Sequence, residues 1–203
     1  MDKNKLIQKL KEEIENSEYI LIGAGAGLST SAGFLYDGKR FEDNFKDYIK
    51  KYGFTDMYSA GFYNFPTLEE YWAYFSLYVY INRYDIEENK TYLNLCNIVK
   101  NKNYFVITTN VDGRFADSKF DKDKIFAVQG DFSLFQCSKP CMQETFYNEK
   151  YIREMIKYKK LKLQAPKKNR ITHKILSNTI NMLFYSSILF FFASHIVFIV
   201  DRI

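Results

Sequence analysis

Cysteine is scarce in this chain of 203 residues: there are three, Cys96, Cys137 and Cys141. That is too few for a disulfide framework. Residues 1–18 are polar and charged, with no secretory signal, so a reducing cytoplasm is the expected compartment. Proline and glycine are also sparse, at three and nine residues, which excludes a low-complexity or all-turn chain. Histidine occurs twice, as His173 and His195, both in the tail. No internal repeat is found.

What is abundant is apolar and aromatic: 47% of residues are hydrophobic and 18% aromatic, enough to build a globular core. The formal charge of +5 is unevenly distributed. Residues 1–156 carry 20 basic and 23 acidic side chains, a net of −3, whereas residues 157–203 carry nine basic side chains and one acid, Asp201. The body is therefore mildly acidic and gives no electrostatic reason to expect nucleic-acid binding.

Periodicity predicts an α/β chain. Leu6, Leu10 and Ile14 make the first segment an amphipathic helix, and Tyr19–Ile22 a short strand. A second helix is expected from Ser29. "NFKDYIKKYGF" and "TLEEYWAYFSLYVYINRY" read as aromatic-rich helices, the latter with Thr67 as N-cap and Glu70 three residues on, a capping-box pattern. "NKTYLNLCNIVKNK" reads as a further helix with Cys96 in the core, "NYFVITTN" as a buried strand ending at Asn110, and "KIFAVQG" as a third strand. "DFSLFQCSKPCMQETFY" reads as a small hairpin with a cysteine-bearing turn. Roughly 80 residues separate the first two strands, so helices must be inserted between them.

The tail differs in kind. Residues 157–181 form a basic linker, and residues 182–200, "MLFYSSILFFFASHIVFIV", run for 19 residues without a formal charge apart from a protonatable His195. As a helix this run would span roughly 28 Å, close to a bilayer core, with the basic residues keeping the body cytoplasmic. Two expectations stand: a C-terminal membrane anchor, or a truncated or frame-shifted C-terminus that happens to be apolar.

The strand Tyr19–Ile22 runs into "GAGAGLSTSAGF". This loop does not match the dinucleotide pattern G-x-G-x-x-G in either register, nor the P-loop pattern. Its ingredients still suit a phosphate: Gly25 and Gly27 permit close backbone approach, a helix start offers N–H groups, and Ser29, Thr30 and Ser31 offer hydroxyls. A tight strand-to-helix turn without a ligand explains the glycines equally well.

The loop keeps specific company. "GAGLS", "SAGF", "TTNVD" at 108–112, "QG" at 129–130 and the cysteines at 137 and 141 together resemble the sirtuin family in order and spacing. "YGFTDMYSAGFY-x-FPTLEEYW" and "QGD-x-x-LFQCSKPC" are similar to its macrodomain-linked class M branch. The resemblance covers about residues 1–155. It implies a Rossmann-like NAD-binding sirtuin fold over residues 1–156, with an inserted helical region, a partial zinc-module hairpin and a sheet that is incomplete.

By that resemblance Gly25, Ala26, Gly27, Leu28 and Ser29 hold the NAD pyrophosphate, and Asn110, Asp112 and Gln129 line the nicotinamide and ribose pocket. Asn110 and Gln129 are the catalytic candidates. A strand end followed by an Asx turn would account for Asn110-Val111-Asp112 without any ligand. Deacetylating sirtuins carry a histidine where Gln129 stands, and an amide cannot act as a general base near neutral pH. The implied activity is therefore NAD-dependent protein ADP-ribosylation rather than deacetylation, with a lipoylated carrier protein as acceptor and a macrodomain protein as partner. An inactive remnant or a membrane-tethered NAD-binding module is the alternative. The cysteine pair Cys137 and Cys141 supplies two of the four ligands that a structural zinc needs, half a site. Arg40 is a candidate for a phosphate or the acceptor.

Overall fold

The structure, a computed structural model, describes residues 2–136, 144–161 and 196–200, with residues 158–161 and 196–200 by backbone alone. The order of elements is α1 (Lys3–Asn16), β1 (Tyr19–Ala24), α2 (Ala26–Ser31), α3 (Gly38–Tyr52), α4 (Met57–Ala60), α5 (Leu68–Val79), a π-helical turn (Tyr80–Tyr84) and α6 (Lys90–Val99). There follow β2 (Asn103–Thr108), α7 (Arg114–Asp117), a 3-10 turn (Lys122–Lys124), β3 (Ile125–Ala127), β4 (Leu134–Phe135), β5 (Phe146–Tyr147), α8 (Glu149–Leu161) and β6 (Ile196–Val200). The chain divides into two compact units: Met1–Gly33 with Glu87–Asp131 and Ile188–Ile203, and Phe34–Ile86 with Phe132–Ser187.

The first unit is built on a four-stranded sheet of order β3-β2-β1-β6. β1, β2 and β3 run parallel, in the register Ala24↔Thr108↔Ala127 at their C-terminal ends. The small sheet is in keeping with the incomplete one expected from sequence. One face is closed by Ile20, Ile22, Val106 and Thr108, all buried, while Tyr19, Phe105, Ile107 and Phe126 stand exposed on alternate positions. The "NYFVITTN" strand is therefore buried on one side only, because a run of apolar residues does not reveal which of its two faces is covered.

One further expectation is corrected. The helix after the glycines begins at Ala26 rather than Ser29, on Gly25 as N-cap. The last five residues of the apolar tail, Ile196–Val200, form a strand antiparallel to β1, with Ile196 opposite Gly23 and Val200 opposite Tyr19. Ile and Val favour the pleated conformation that β1's free edge can complete. Residues 182–195 lie outside the described residues, and among those described no helix is long and apolar enough to cross a membrane.

The second unit is a helical body filled with rings. Gly53 closes α3 at φ +70°, a left-handed conformation suited to glycine, and donates its N–H to the Ile49 carbonyl at 2.8 Å. Thr67 caps α5 as expected, its hydroxyl oxygen accepting the Glu70 N–H at 3.2 Å. The reciprocal half of the capping box does not form, because the Glu70 carboxylate is taken by Lys51 and Tyr52. Phe45, Tyr48, Phe54, Phe65, Phe75 and Tyr78 surround Tyr74 with ring centroids 5.2–6.1 Å away. The expected hairpin forms as β4 and β5, pairing Leu134 with Tyr147 and Phe135 with Phe146. Asn148, fully buried, ties this hairpin down: its amide donates to the Phe132 carbonyl at 2.8 Å and accepts the Tyr84 hydroxyl at 2.5 Å.

Candidate functional site

Parallel strands deliver their C-terminal ends to one edge of a sheet, and in open α/β folds ligands bind there. Here the edge gathers the ends of β1, β2 and β3. Two backbone hydrogen bonds extend the pairing beyond the strands: Thr109 N–H to the Ala24 carbonyl and Val128 N–H to the Thr108 carbonyl, each 3.0 Å. Gly25, Asn110 and Gln129 follow directly, so three separated motifs meet at one edge.

Asn110 is anchored on three sides. Its backbone N–H donates to the Thr108 hydroxyl at 3.0 Å. Its side-chain amide nitrogen donates to the Gly25 carbonyl and to the Ser29 hydroxyl oxygen, both at 3.0 Å. A carbonyl only accepts, so the amide end of Asn110 must face Gly25, and its orientation is fixed rather than free to flip. The Ser29 hydroxyl in turn donates to Asp112 Oδ2 at 2.6 Å, while Asp112 Oδ1 accepts the Arg114 N–H at 3.1 Å. Ser29, Asn110 and Asp112 are all buried, and each is held by hydrogen bonds, as burial of polar groups requires.

Ala26, Gly27 and Leu28 form the first turn of α2 and are half-buried. Gly25 is extended at φ −135°, so it contributes openness rather than a left-handed turn. A helix of six residues supplies only a small dipole, which leaves the loop's backbone N–H groups and hydroxyls as its means of binding an anion. Gln129 sits in the turn after β3, half-buried, and its amide makes no hydrogen bond among the described residues. The structure thus brings Ser29, Asn110 and Asp112 into contact and places Gln129 at the same edge without bonding it to them.

Tyr92 belongs to this cluster and is not evident from the sequence. It is fully buried, its hydroxyl lies 2.9 Å from Ser29 Oγ, and its ring packs edge-on against Phe115 at 5.1 Å. Burial, followed by the nearby Asp112 charge, pushes the phenol well above its ordinary pKa, so it stays protonated. Its helix is fixed by Asn89, which caps α6 through the Thr91 N–H at 2.9 Å and donates to the Ala32 carbonyl at 2.8 Å. Tyr92, Cys96 and Val99 make one buried stripe, and a hydroxyl heading such a stripe needs a partner, the one signal the sequence offered.

Arg40, considered for a phosphate or the acceptor or for neither, is held by internal hydrogen bonds. It lies on α3 in the second unit, and its guanidinium donates to the Leu35 carbonyl, Asn82 Oδ1 and the Ile81 carbonyl at 2.7–2.9 Å. Those bonds make it a clamp between chain segments of that unit. Cys137 and Cys141 lie outside the described residues; among those described, no group of three or more His, Cys, Asp or Glu side chains could hold a metal, and Cys96 is a free, buried thiol.

The fold these elements make is sirtuin-like. A solved structure of Sir2Tm bound to a propionylated peptide matches it with a TM-score of 0.50 over 89% of this chain and 65% of that one, at 15% identity. In sequence, the chain is 39% identical over 155 residues to a protein ADP-ribosyltransferase of Staphylococcus aureus (strain Mu50), covering 76% of this chain and 49% of that protein. It is 32% identical over 136 residues to a probable bifunctional ADP-ribose hydrolase/ADP-ribosyltransferase of Fusarium oxysporum f. sp. cubense, covering 64% and 22% respectively. The chain therefore spans about half the length of the first curated relative and under a quarter of the second. No family model matches it. The chain thus has a sirtuin-like fold and shares a 39% identical stretch with a protein ADP-ribosyltransferase.

Proposed function

We propose that this chain is an NAD-dependent protein ADP-ribosyltransferase of the sirtuin type, close to the macrodomain-linked branch. The observation that carries the reading is the locked amide of Asn110. Both of its N–H groups are engaged inside the protein, so Oδ1 is left as an oriented acceptor for a ribose hydroxyl or an ordered water. The names of the two curated relatives support the same activity.

In the proposed reaction the bond between C1′ of the ribose and the nicotinamide nitrogen breaks, and the electron pair leaves with nicotinamide, which departs neutral. A protein nucleophile supplies the pair that forms the new bond at C1′ and loses its proton to solvent. Gly25–Ser29 line the pyrophosphate, Asn110 orients the ribose, and Asp112 offers negative charge to the cation developing at C1′. Gln129 positions a ribose hydroxyl or the acceptor. It cannot remove a proton, so deacylation is disfavoured.

A lipoylated carrier protein is the acceptor this reading favours, with a macrodomain protein as partner and the cytoplasm as location. Cys137 and Cys141 give two thiolates where a structural zinc takes four ligands, so no step is assigned to a metal. The test is incubation of the full chain with adenine-labelled NAD and the lipoylated carrier. Nicotinamide release with label on the carrier is expected; absence of both overturns the reading in favour of a non-catalytic NAD-binding module.

A further inference from the structure

We infer that Tyr92 is a positioning residue of the NAD site, its hydroxyl completing the hydrogen bonds of Ser29 and so fixing the direction in which Asn110 presents its acceptor. The inference rests on the proposed function and concerns a residue that touches neither substrate nor reacting atoms.

The argument is proton bookkeeping within a buried cluster. Ser29 has one hydroxyl proton, and it goes to Asp112 Oδ2 at 2.6 Å. Ser29 Oγ must therefore accept from both of its other neighbours. Asn110 Nδ2, at 3.0 Å, fills one lone pair. Tyr92, at 2.9 Å, fills the second, and since the Asn110 amide nitrogen 3.5 Å away is itself a donor, Ser29 is the acceptor for the phenol proton among the described residues. The chain of donation runs Tyr92 to Ser29 to Asp112, with Asn110 feeding in from the side. With both lone pairs of Ser29 filled, water has no place on it, and a flipped Asn110 amide would set its oxygen against the Gly25 carbonyl.

The phenol suits this task. It remains protonated near neutral pH, its ring is wedged against Phe115, and its helix is pinned to the end of α2 by Asn89. Tyr92→Phe deletes the oxygen and keeps the ring, so it tests positioning with little change in packing.

Two readouts decide. In steady-state nicotinamide release, Tyr92→Phe should lower kcat about fivefold to tenfold, the size of one neutral hydrogen bond, with the KM for NAD within about twofold. By NMR without NAD, the Asn110 side-chain amide protons, assigned from their loss in Asn110→Ala, should exchange with solvent at least about tenfold faster in Tyr92→Phe than in the parent. A structural role alone would lower the thermal midpoint and leave kcat and the Asn110 exchange unchanged, which overturns the inference. Unchanged kcat and exchange at an unchanged midpoint overturn it too. If the parent releases no nicotinamide yet the exchange difference is seen, the functional reading fails and the positioning role stands. Should Tyr92→Phe fail to fold, the parent spectrum decides: Asn110 amide protons exchanging as fast as exposed ones overturn the inference, and protected ones support it.

Discussion

Tyr74 and Tyr92 are both fully buried, one in each compact unit, and burial serves different ends in the two. Tyr74 sits among six aromatic rings, and its hydroxyl closes the backbone carbonyl of Met57. Tyr92 packs against Phe115, and its hydroxyl joins side chains that line a site. In the helical unit the ring is what matters and the oxygen is merely accommodated. In the sheet unit the oxygen is what matters and the ring carries it into place.

The sharpest test of that contrast removes the first ring. Tyr74→Ala leaves a void at the centre of the aromatic cluster and should destabilise the protein by about 3–5 kcal/mol in urea unfolding. Tyr74→Phe, which strands only the Met57 carbonyl, should lose about 1 kcal/mol and leave nicotinamide release unchanged. A Phe variant as damaged as the Ala variant would erase the distinction between the two units.

Asn110→Ala is the corresponding test in the sheet unit, and its effect should fall on activity. Nicotinamide release is expected to drop about a hundredfold or more, a magnitude seen when an oriented polar group at a developing charge is removed. The thermal midpoint should move far less than in Tyr74→Ala. A variant that unfolds without a specific loss of activity would make Asn110 a structural residue like Tyr74.

The difference between the units also explains what the sequence disclosed. Asn110, Asp112 and Ser29 are legible only through the resemblance: a turn after a strand accounts for each alone, and it is the order and spacing of GAGLS, TTNVD and QG together that single them out. Tyr92 is one of 17 tyrosines, and nothing local separates it from Tyr74. Its role depends on a contact with Ser29 across 63 residues of chain, which periodicity cannot express. The α/β class followed from strands and helices alternating along the chain. The pairing of Ile196–Val200 with β1 did not, since an apolar run suits a membrane helix and a sheet edge alike. The second half of the capping box at Thr67 failed for a similar reason: Glu70 found Lys51 and Tyr52, partners on another helix.

Gln129 offers a smaller test, because its amide stands at the site edge without joining the network. Asparagine, glutamine and serine do not titrate near neutrality, and the Tyr92 phenol is held well above it. These groups therefore add no pH dependence to nicotinamide release between about pH 6 and 8. Gln129→His introduces one. As the imidazole loses its proton it becomes a base, so the rate of any step it assists should rise with pH through a midpoint near the ordinary histidine value of about 6.5. An unaltered profile would mean that Gln129 faces away from the reacting ribose.

The smallest effect belongs to the surface of the helical unit, where charge should count for least. Glu70 is held below the usual carboxylate range, first by its hydrogen bond from Lys51 and then by that from Tyr52. A carboxyl with a lowered folded-state pKa stabilises the protein above its unfolded value, near 4.5, and that contribution disappears as pH falls through the lowered one. Glu70→Gln should therefore lower stability slightly at neutral pH and leave it unchanged where the parent carboxyl is protonated, so that the acid limb below about pH 5 flattens. The neutral loss is small because exposed ion pairs are screened by water and salt. Raising the salt concentration should shrink the difference between parent and variant further. Tyr74→Phe measured alongside should show no such acid limb of its own, because the bond it removes carries no charge. A large salt-sensitive loss in Glu70→Gln would mean that the cluster of rings depends on its charged rim, and the division between packing in one unit and oriented polar contacts in the other would have to be redrawn.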